Sequence, residues 1–369
     1  LILGGVEMKP IRIIDKNFNL LGEIDDYESL LLIRRFYRVG EFELRINVNK
    51  NHTDKLTIDN LIILGDQLNK VGIILHRENV YDENGEATDI LSIKGYTLKG
   101  LCSRRNIVPP TSIAYESYTG PQEAIMKYFV DKNIVNPDDL DRKIDNIIIA
   151  PNLNRGQQDK WRSRFELLSD KLTEIGEYSK LGWDIVLDYN NNKFLFDVIE
   201  GKNLTADQDI LPPVIFSIDF NNITNRHFIE SVINHSNVAY AGGQGEEENR
   251  LIQQIGNATG FERIETFLDC SSAEDVTELI QEGTVGLQEL KKITTFEVQI
   301  LPDGSFEYEE DYDLGDIITC MDRKLGVTLN TEIIEFKEIY EENGFKLEAV
   351  FGNNIPSIID KLKDKQVVR

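Results

Sequence analysis

The chain has 369 residues, enough for about two to four domains with cores of their own. Apolar residues make up 41% and charged residues 28%, which is typical of globular rather than disordered protein. The net charge of −24 is spread along the whole chain and argues against a free-standing nucleic-acid binder, because such proteins need basic patches that displace phosphate counterions.

The N-terminal part predicts a β domain over residues 8–108. A period-two alternation of apolar and polar residues indicates a half-buried strand there. The apolar positions of this strand are Phe42, Leu44, Ile46 and Val48. Two apolar segments, 71–75 and 90–93, flank a polar loop and predict a hairpin.

Residues 109–215 predict a mixed α/β domain. Pro121 is expected to start one helix, since its missing N–H costs nothing in a first turn. A second amphipathic helix is predicted from apolar residues at helical spacing. These residues are Phe165, Leu168, Leu172 and Ile175. The polar stretch 155–164 between the helices is expected to be an exposed loop.

The C-terminal part predicts a second β domain built from residues 216–250 and 291–354. A helical insertion is expected over residues 251–290, and a final helix or tail over residues 355–369. One hairpin is predicted around residues 302–305, where alternating apolar residues from Phe296 lead into a turn and a strand returns around Phe306. A second hairpin is predicted at Asn343-Gly344.

The helix of the insertion is expected to start at Ser272. Asp275, three residues further on, is the predicted capping-box partner. Gly283 and Gly286 interrupt the apolar stripe of this helix and are predicted to weaken it.

An internal similarity indicates that the two β domains are related. Leu64-Gly65-Asp66 near the first hairpin has a counterpart in Leu314-Gly315-Asp316 near the last one. The shared order of strand, Gly-Asp turn, strand and hairpin favours two related β units. The spacings differ by several residues, so a chance similarity remains the alternative.

Residues with catalytic, cofactor-binding or metal-binding patterns are not found, and we predict none. The four histidines, at 52, 76, 227 and 235, form no H-E-x-x-H motif. Asp188–Asn192 imitates the start of a calcium loop but lacks its glycine and terminal glutamate, so a hairpin turn is favoured. Cys102, Cys270 and Cys320 form no C-x-x-C and indicate a reducing compartment.

Two acidic clusters allow two interpretations each. One consists of Glu246, Glu247 and Glu248; the other consists of Glu307, Glu309, Glu310, Asp311 and Asp313. The simpler interpretation is a solvated loop or strand. The alternative is that a cluster lines a lumen or binds Lys and Arg of a neighbouring subunit.

The ends of the chain carry little information about targeting. Residues 1–7 lack the basic and long apolar regions of a signal peptide, and Met8 is a candidate natural start. No apolar run approaches the ~18 residues of a membrane-spanning helix, so no membrane span is predicted.

The segment from Val238 to Asp269 is the most distinctive in the chain. It reads V-A-Y-A-G-G-Q-G-E-E-E-N-R and continues, after ten residues, as G-F-E-R-I-E-T-F-L-D. It contains no G-x-G-x-x-G and no Lys-Ser or Lys-Thr after the glycines, which excludes the usual nucleotide-binding motifs.

This segment resembles the tail-hub proteins of long-tailed bacteriophages and prophages, including the N-terminal hub module of tail-associated lysins and minor tail proteins. Residues 312–352, with Tyr312-Asp-Leu-Gly-Asp and Gly326-Val-Thr, resemble the closing β unit of the same family. One departure is Asp269-Cys270-Ser271-Ser272, where relatives show an Asp-Ala-Arg-Asp run, so a contact made by that arginine is in doubt.

The resemblance implies an α+β, β-rich fold with two related β-barrel domains, a mixed α/β domain and a small helical insertion. It implies a non-enzymatic hub that closes the distal end of the tail tube and gates DNA passage. The implied partners are further copies of the chain in a homotrimer, the distal tail ring protein and the tape-measure protein, with DNA only in transit. The implied location is the virion tail tip, after assembly in the bacterial host cytoplasm, with no cofactor.

Two other classes of function stay open. A tail-tip peptidoglycan hydrolase or endopeptidase is the enzyme alternative, although the chain offers no nucleophile or metal set for it. A carbohydrate-binding adhesin is the third class, and its signal would be clustered exposed aromatic residues. The two tryptophans, at 161 and 183, are not clustered.

Overall fold

A computed structural model describes residues 8–81, 84–273, 275–302 and 304–352. The predicted C-terminal helix or tail, 355–369, and residues 1–7 lie outside this described part. The described chain is rich in strands and has three α-helices. Its described residues divide into two compact units: one comprises residues 8–225 and 298–349, and the other comprises residues 226–297 and 350–352.

The N-terminal strands form one antiparallel arrangement in the order β3-β4-β7-β6-β5-β1-β2. They are Ile11–Ile14 (β1), Leu20–Ile24 (β2), Ser29–Arg35 (β3), Glu41–Asn47 (β4), Leu61–Leu64 (β5), Val71–Tyr81 (β6) and Ala87–Thr97 (β7). The predicted strand is confirmed as β4, since Phe42, Leu44 and Ile46 point into the core, but Val48 lies beyond its end. The predicted hairpin is confirmed as β6–β7.

Two glycines make room for the ring of Phe42 in this core. A Cβ atom added at Gly72 would lie 2.4 Å from the Phe42 ring, and one added at Gly95 would lie 1.8 Å from the backbone oxygen of Ile73. The register of β6 against β7 shifts between Ile74 and His76, which marks a β-bulge opposite Gly95. Neighbouring strands therefore approach closely at this point.

The middle of the chain combines short strands with two helices, as the α/β pattern predicts. Its elements are Glu116–Pro121 (β8), Gln122–Val130 (α1), Ile147–Ile149 (β9), Gln158–Ser163 (β10), Leu168–Ser179 (α2), Gly182–Asp188 (β11) and Lys193–Ile199 (β12). β8 pairs with β10, and β12 pairs with both β11 and β9. The hairpin expected around Asp188–Asn192 is confirmed between β11 and β12.

Two predictions for this region are wrong. The stretch 155–164 is not an exposed loop, because most of it forms β10, in which Trp161 and Ser163 are buried. Phe165 is not part of the second helix, because α2 begins at Leu168 and Phe165 has a positive φ of 57°. The helical spacing of Phe165 is therefore coincidental.

The C-terminal elements complete both units. They are Asn203–Leu204 (β13), Ile215–Ser217 (β14), Ile223–Ser231 (β15), Val238–Gly242 (β16), Ile252–Ile255 (β17), Glu265–Asp269 (β18), Val276–Glu289 (α3), Ile293–Ile300 (β19), Ile317–Asp322 (β20), Val327–Glu341 (β21) and Gly344–Gly352 (β22). The residues expected to form a helical insertion, 251–290, hold β17 and β18 as well as α3.

Strand β21 joins the two ends of the chain in the first unit. Its first half pairs with β20, and its second half pairs with β3 of the N-terminal strands. The hairpin predicted at Asn343-Gly344 is confirmed between β21 and β22. Neither loop residue, Glu342 or Asn343, has a positive φ, and the positive φ falls on Gly344, the first residue of β22. The turn is therefore not the type I′ form, which needs positive φ at both loop positions.

We predict that Gly95→Ala lowers the free energy of unfolding by about 1–3 kcal/mol, because the new methyl group meets a backbone oxygen that cannot move aside cheaply. Urea unfolding of the full chain measures the loss. Gly85→Ala is the control: its added Cβ meets nothing within 4 Å and costs only the left-handed strain, about 1 kcal/mol. Equal losses in the two variants would contradict the close approach.

Candidate functional site

The glycine-rich segment of the second unit forms a tight turn between β16 and β17. Gly245 has a φ of 103°, and a Cβ atom added there would lie 2.4 Å from the oxygen of Asn249. The backbone N–H of Gly243 donates to the oxygen of Leu251 at 2.8 Å, which closes the turn. Glu246, Glu247 and Glu248 are exposed on this turn. The glycines therefore serve the backbone geometry of this turn.

Arg250 holds both ends of this turn. Its guanidinium donates to the oxygens of Gly242 at 2.9 Å and Gly243 at 3.0 Å, and it pairs with Asp269 at 2.5 Å. The hydrogen bond from Arg250 holds the pKa of Asp269 below its ordinary value. A Cβ atom at Gly242 would lie 2.9 Å from the guanidinium carbon, so a glycine is needed where the arginine crosses the strand. Asp269 is the first residue of the segment that departs from the family pattern, and its role here is to pair with Arg250.

A second arginine lies across the same small sheet. Arg263 donates to the hydroxyl of Tyr240 at 3.0 Å and to the side-chain oxygen of Gln254 at 3.1 Å, and it pairs with Glu265. β16 is the central strand here, antiparallel to β17 and parallel to β18. The side-chain contacts of Arg250 and Arg263 thus link the three strands in addition to the backbone hydrogen bonds between them.

Helix α3 packs on the opposite face of this sheet. The core between them consists of Ala241, Cys270, Ala273 and Leu279, with Ile255 and Leu268 at its edge. A Cβ atom at Gly283 would lie 2.8 Å from that of Ala241, so this glycine permits close packing of the helix on the sheet. The predicted weakening at Gly283 and Gly286 does not interrupt α3, which runs unbroken through both positions.

The predicted start of this helix is wrong by several residues. Asp275 is the N-cap itself, and its carboxylate accepts a hydrogen bond from the N–H of Glu278 at 2.9 Å. The Ser272 hydroxyl bonds to the carboxylate of Glu282 instead.

The first unit contains a buried cluster of charges. Lys70 pairs with Glu338 at 2.8 Å and with Glu309 at 3.0 Å. Arg34 pairs with Glu309 at 3.0 Å and with Asp313 at 3.1 Å. The side chains of Lys70 and Glu338 are at most 1% exposed. These residues come from β3, the β5–β6 loop, the segment before β20, and β21.

Two tyrosines complete the hydrogen bonds of Glu338. Tyr308 donates to one carboxylate oxygen at 2.8 Å, and Tyr340 donates to the other at 2.6 Å. Burial and the neighbouring carboxylate raise the pKa of Tyr340, so its hydroxyl stays a proton donor. Each oxygen of this buried carboxylate therefore has a partner, which is the condition for keeping a charge in a protein interior.

The interpretation of the acidic cluster around residue 309 as a solvated strand is wrong for two of its residues. Glu309 and Asp313 are not part of a solvated strand, because they bind Arg34 and Lys70 of the same chain. The predicted return strand at Phe306 and Tyr308 is also wrong, since this stretch makes only an isolated bridge between Tyr308 and Tyr312.

Sequence reasoning missed Arg34, Lys70 and Glu338, although one signal for Glu338 was present. Phe336 and Tyr340 follow the period-two pattern of a strand, and that pattern puts Glu338 on the same, inward face. A charge at an inward position of an apolar strand indicates a buried partner. The sequence offers no comparable signal for Lys70, which lies in a turn.

The described residues contain no group of three or more His, Cys, Asp or Glu that could hold a metal ion. Burial raises the pKa of Cys102 and Cys320 to about 12 and that of Cys270 to about 11, so their thiols are poor nucleophiles. In the same part of the chain, no helix is long and apolar enough to cross a membrane.

Lys99 is one buried group with an unusual proton affinity. Burial lowers the pKa of its ammonium group to about 7. The nitrogen donates to the backbone oxygens of Arg35 at 2.8 Å and Phe36 at 3.0 Å, and it lies 4.3 Å from the ring centre of Trp183. These contacts give Lys99 a structural role, holding the end of β3 against β11.

Acid should weaken the buried cluster through Glu309. Burial acts to raise the pKa of Glu309, but Lys70 and Arg34 outweigh burial and hold the pKa below its ordinary 4.5. A lowered pKa adds stability above pH 4.5 that is lost as the pH falls through the folded-state value. We expect Glu309→Gln to lower the free energy of unfolding by about 2 kcal/mol at neutral pH and to flatten its decline in acid.

Urea titrations at a series of pH values measure this effect. Glu310→Gln is the matched control, because Glu310 is exposed on the same segment. An unchanged acid profile in the Glu309 variant would refute the role of this pair.

Arg250→Lys should loosen the glycine turn, because a lysine cannot reach two carbonyls and a carboxylate together. The loss of about 1 kcal/mol should speed amide hydrogen exchange at Gly243 and Cys270 roughly fivefold. Lys292→Gln removes an exposed pair with Glu230 in the same unit and serves as control. Acceleration of the same size in both variants would count against the arginine's role.

Comparisons with known proteins agree with this fold. The family model "Siphovirus ReqiPepy6 Gp37-like protein" matches residues 10–353. The search of curated proteins gave no match.

Three crystal structures of tail proteins are similar in fold. The 43 kDa tail protein of prophage MuSo2 from Shewanella oneidensis has a TM-score of 0.59 at 10% identity, covering 93% of this chain and 98% of its own. Prophage tail protein gp18 from Listeria monocytogenes has a TM-score of 0.56 at 12% identity, covering 98% and 99%. The tail protein from Neisseria meningitidis MC58 has a TM-score of 0.56 at 13% identity, covering 93% and 96%.

The family model spans nearly the whole chain, and the structural likeness extends over the full length of these tail proteins. The predicted resemblance to phage tail proteins is thereby confirmed. The chain belongs to the Siphovirus ReqiPepy6 Gp37-like protein family, and its fold is that of prophage tail proteins.

Proposed function

We propose that this protein is a structural hub at the distal end of a phage or prophage tail tube. Membership of a siphovirus family carries this proposal, together with a fold shared with tail proteins over 93% of the chain or more. A hub acts by the shape that it builds with copies of itself. The contacts found in both units, which fix strands and turns rather than present a reactive group, suit such a role.

The proposed architecture has two related β-barrels. The first corresponds to residues 8–108, and the second to residues 216–250 with 291–354. A mixed α/β domain over 109–215 and an insertion over 251–290 complete it. Three copies, each with two similar barrels, would form a ring of six barrels that matches the sixfold symmetry of a tail tube.

The proposed mechanism is assembly followed by opening. The ring stacks on the distal tail ring protein, contacts the tape-measure protein inside the tube, and lets DNA through when the tip engages a cell. The net charge of −24 supports this, because an acidic lumen repels phosphates and leaves no salt-dependent traps for passing DNA. The acidity also keeps the free protein soluble in the bacterial cytoplasm before assembly.

A non-enzymatic role is part of the proposal. A tail-tip peptidoglycan hydrolase needs a positioned acid and base, a nucleophile or a metal. Two fully buried carboxylates of the first unit, Glu338 and Glu123, are held by Lys70 and Lys127 inside the fold.

The location is tested by immunogold labelling of intact tails. We expect antibodies against this chain to mark the distal tip, one cluster per particle. Label along the tube, or no label on washed particles, would contradict the hub.

Zymography of the purified protein on Gram-positive cell walls tests the enzyme alternative. A cleared zone would favour the hydrolase, whereas an undigested wall is expected for a structural hub.

A further inference from the structure

Phe165 is an aromatic side chain held out into solvent by a strained backbone. The residue is 56% exposed, and its φ is 57°, a region that a bulky residue adopts at a cost of about 1–2 kcal/mol. Two hydrogen bonds hold it there: its N–H donates to the oxygen of Ile107 at 2.7 Å, and its oxygen accepts from the Asn106 amide at 2.7 Å. Strain that is maintained to expose an apolar ring points to a use for that ring.

One basic side chain lies against this ring in an otherwise acidic chain. The guanidinium of Arg164 lies 5.4 Å from the centre of the Phe165 ring. An apolar ring with a cation beside it can bind a partner that offers an apolar hollow and carboxylates.

Such a hollow exists in the same unit, on the outer face of β3, β4, β7 and β6. It is a groove with a volume of about 390 Å³. Leu31, Ile33, Leu75 and Tyr96 supply its apolar lining. Leu75 and Tyr96 are 39% and 42% exposed, so this apolar surface is open to solvent.

The polar lining of this groove includes two carboxylates, those of Glu41 and Glu43. Lys94 and His76 lie beside them. Glu41 is 2.8 Å from Arg35, and Glu43 is 4.0 Å from Lys94. Since Lys94 also lies 3.3 Å from Glu78 outside the lining, the carboxylates are only partly neutralised.

We propose that Phe165, with Arg164 beside it, docks in this groove on a second copy of the chain. The apolar ring matches the apolar floor, and the Arg164 guanidinium matches the carboxylates of Glu41 and Glu43 at the rim. Because the projection and the groove are different surfaces of the same unit, the contact is head to tail, the type that closes copies into a ring. The inference rests on the proposed self-association and specifies the surfaces that produce it.

The test uses three substitutions in the full-length chain. Phe165→Asn removes the ring, and asparagine adopts positive φ more readily, so the thermal midpoint of the single chain should stay the same or rise. Leu75→Gln makes the groove floor polar. Leu20→Asn is the control, since Leu20 is 57% exposed and belongs to neither surface.

Association is measured by sedimentation over a range of protein concentrations. Phe165→Asn and Leu75→Gln should each weaken association by roughly tenfold or more, whereas Leu20→Asn should leave it unchanged. In parallel, p-benzoyl-phenylalanine at position 165 is irradiated in the concentrated protein and in assembled tails, and cross-linked peptides are mapped by mass spectrometry. Cross-links between copies should reach residues of β3, β4, β6 or β7.

The outcomes separate this inference from the proposed function. The inference is overturned if both variants associate with wild-type affinity, or if the cross-links fall outside the groove. Neither result contradicts the proposed ring. An absence of cross-links between copies in tails that carry immunogold label at the tip overturns the docking and leaves the location intact. Unlabelled tails contradict the hub itself.

Discussion

Glu338 places a carboxylate with no solvent exposure near the C-terminal end of β21, the longest described strand, and the first unit is organised around the need to neutralise it. A buried charge without a partner costs several kcal/mol, so every oxygen of that carboxylate must find a donor. Lys70, Tyr308 and Tyr340 supply the donors, and Arg34 lies 4.0 Å away. These groups come from both ends of the chain, which the pairing of β21 with β3 brings together.

Arginine has a comparable role in the second unit, although there it acts on the backbone. A glycine turn leaves carbonyl oxygens without partners, and a planar guanidinium with several donors can satisfy two of them while it pairs with a carboxylate. Arg250 does this for Gly242, Gly243 and Asp269. The glycines and the arginine of the distinctive segment therefore form one structural device, because the strand must lack a side chain where the guanidinium crosses it.

Polar chemistry of this kind suits the proposed role in assembly. The titratable groups with the strongest interactions are used within the fold, and the surface keeps acidic loops and exposed apolar side chains. In the proposed ring, association between copies depends on complementary surfaces and on the net charge of −24, which opposes unspecific contacts.

Local patterns in the sequence determined the elements whose surroundings are simple. The alternation in β4, the turn at Gly344 and the stripe of α3 each depend on neighbours a few residues away, so periodicity and turn chemistry were sufficient. The family, too, was evident from residues 238–269 and 312–352. Only the tertiary structure decided where Phe165, the 155–164 stretch and Glu309 belong. Their positions depend on partners far along the chain: Ile107 for Phe165, β8 for β10, and Arg34 with Lys70 for Glu309. Spacing along a sequence contains no record of such distant partners, and nothing in the sequence distinguishes Glu309, Arg34 and Lys70 from ordinary surface charges.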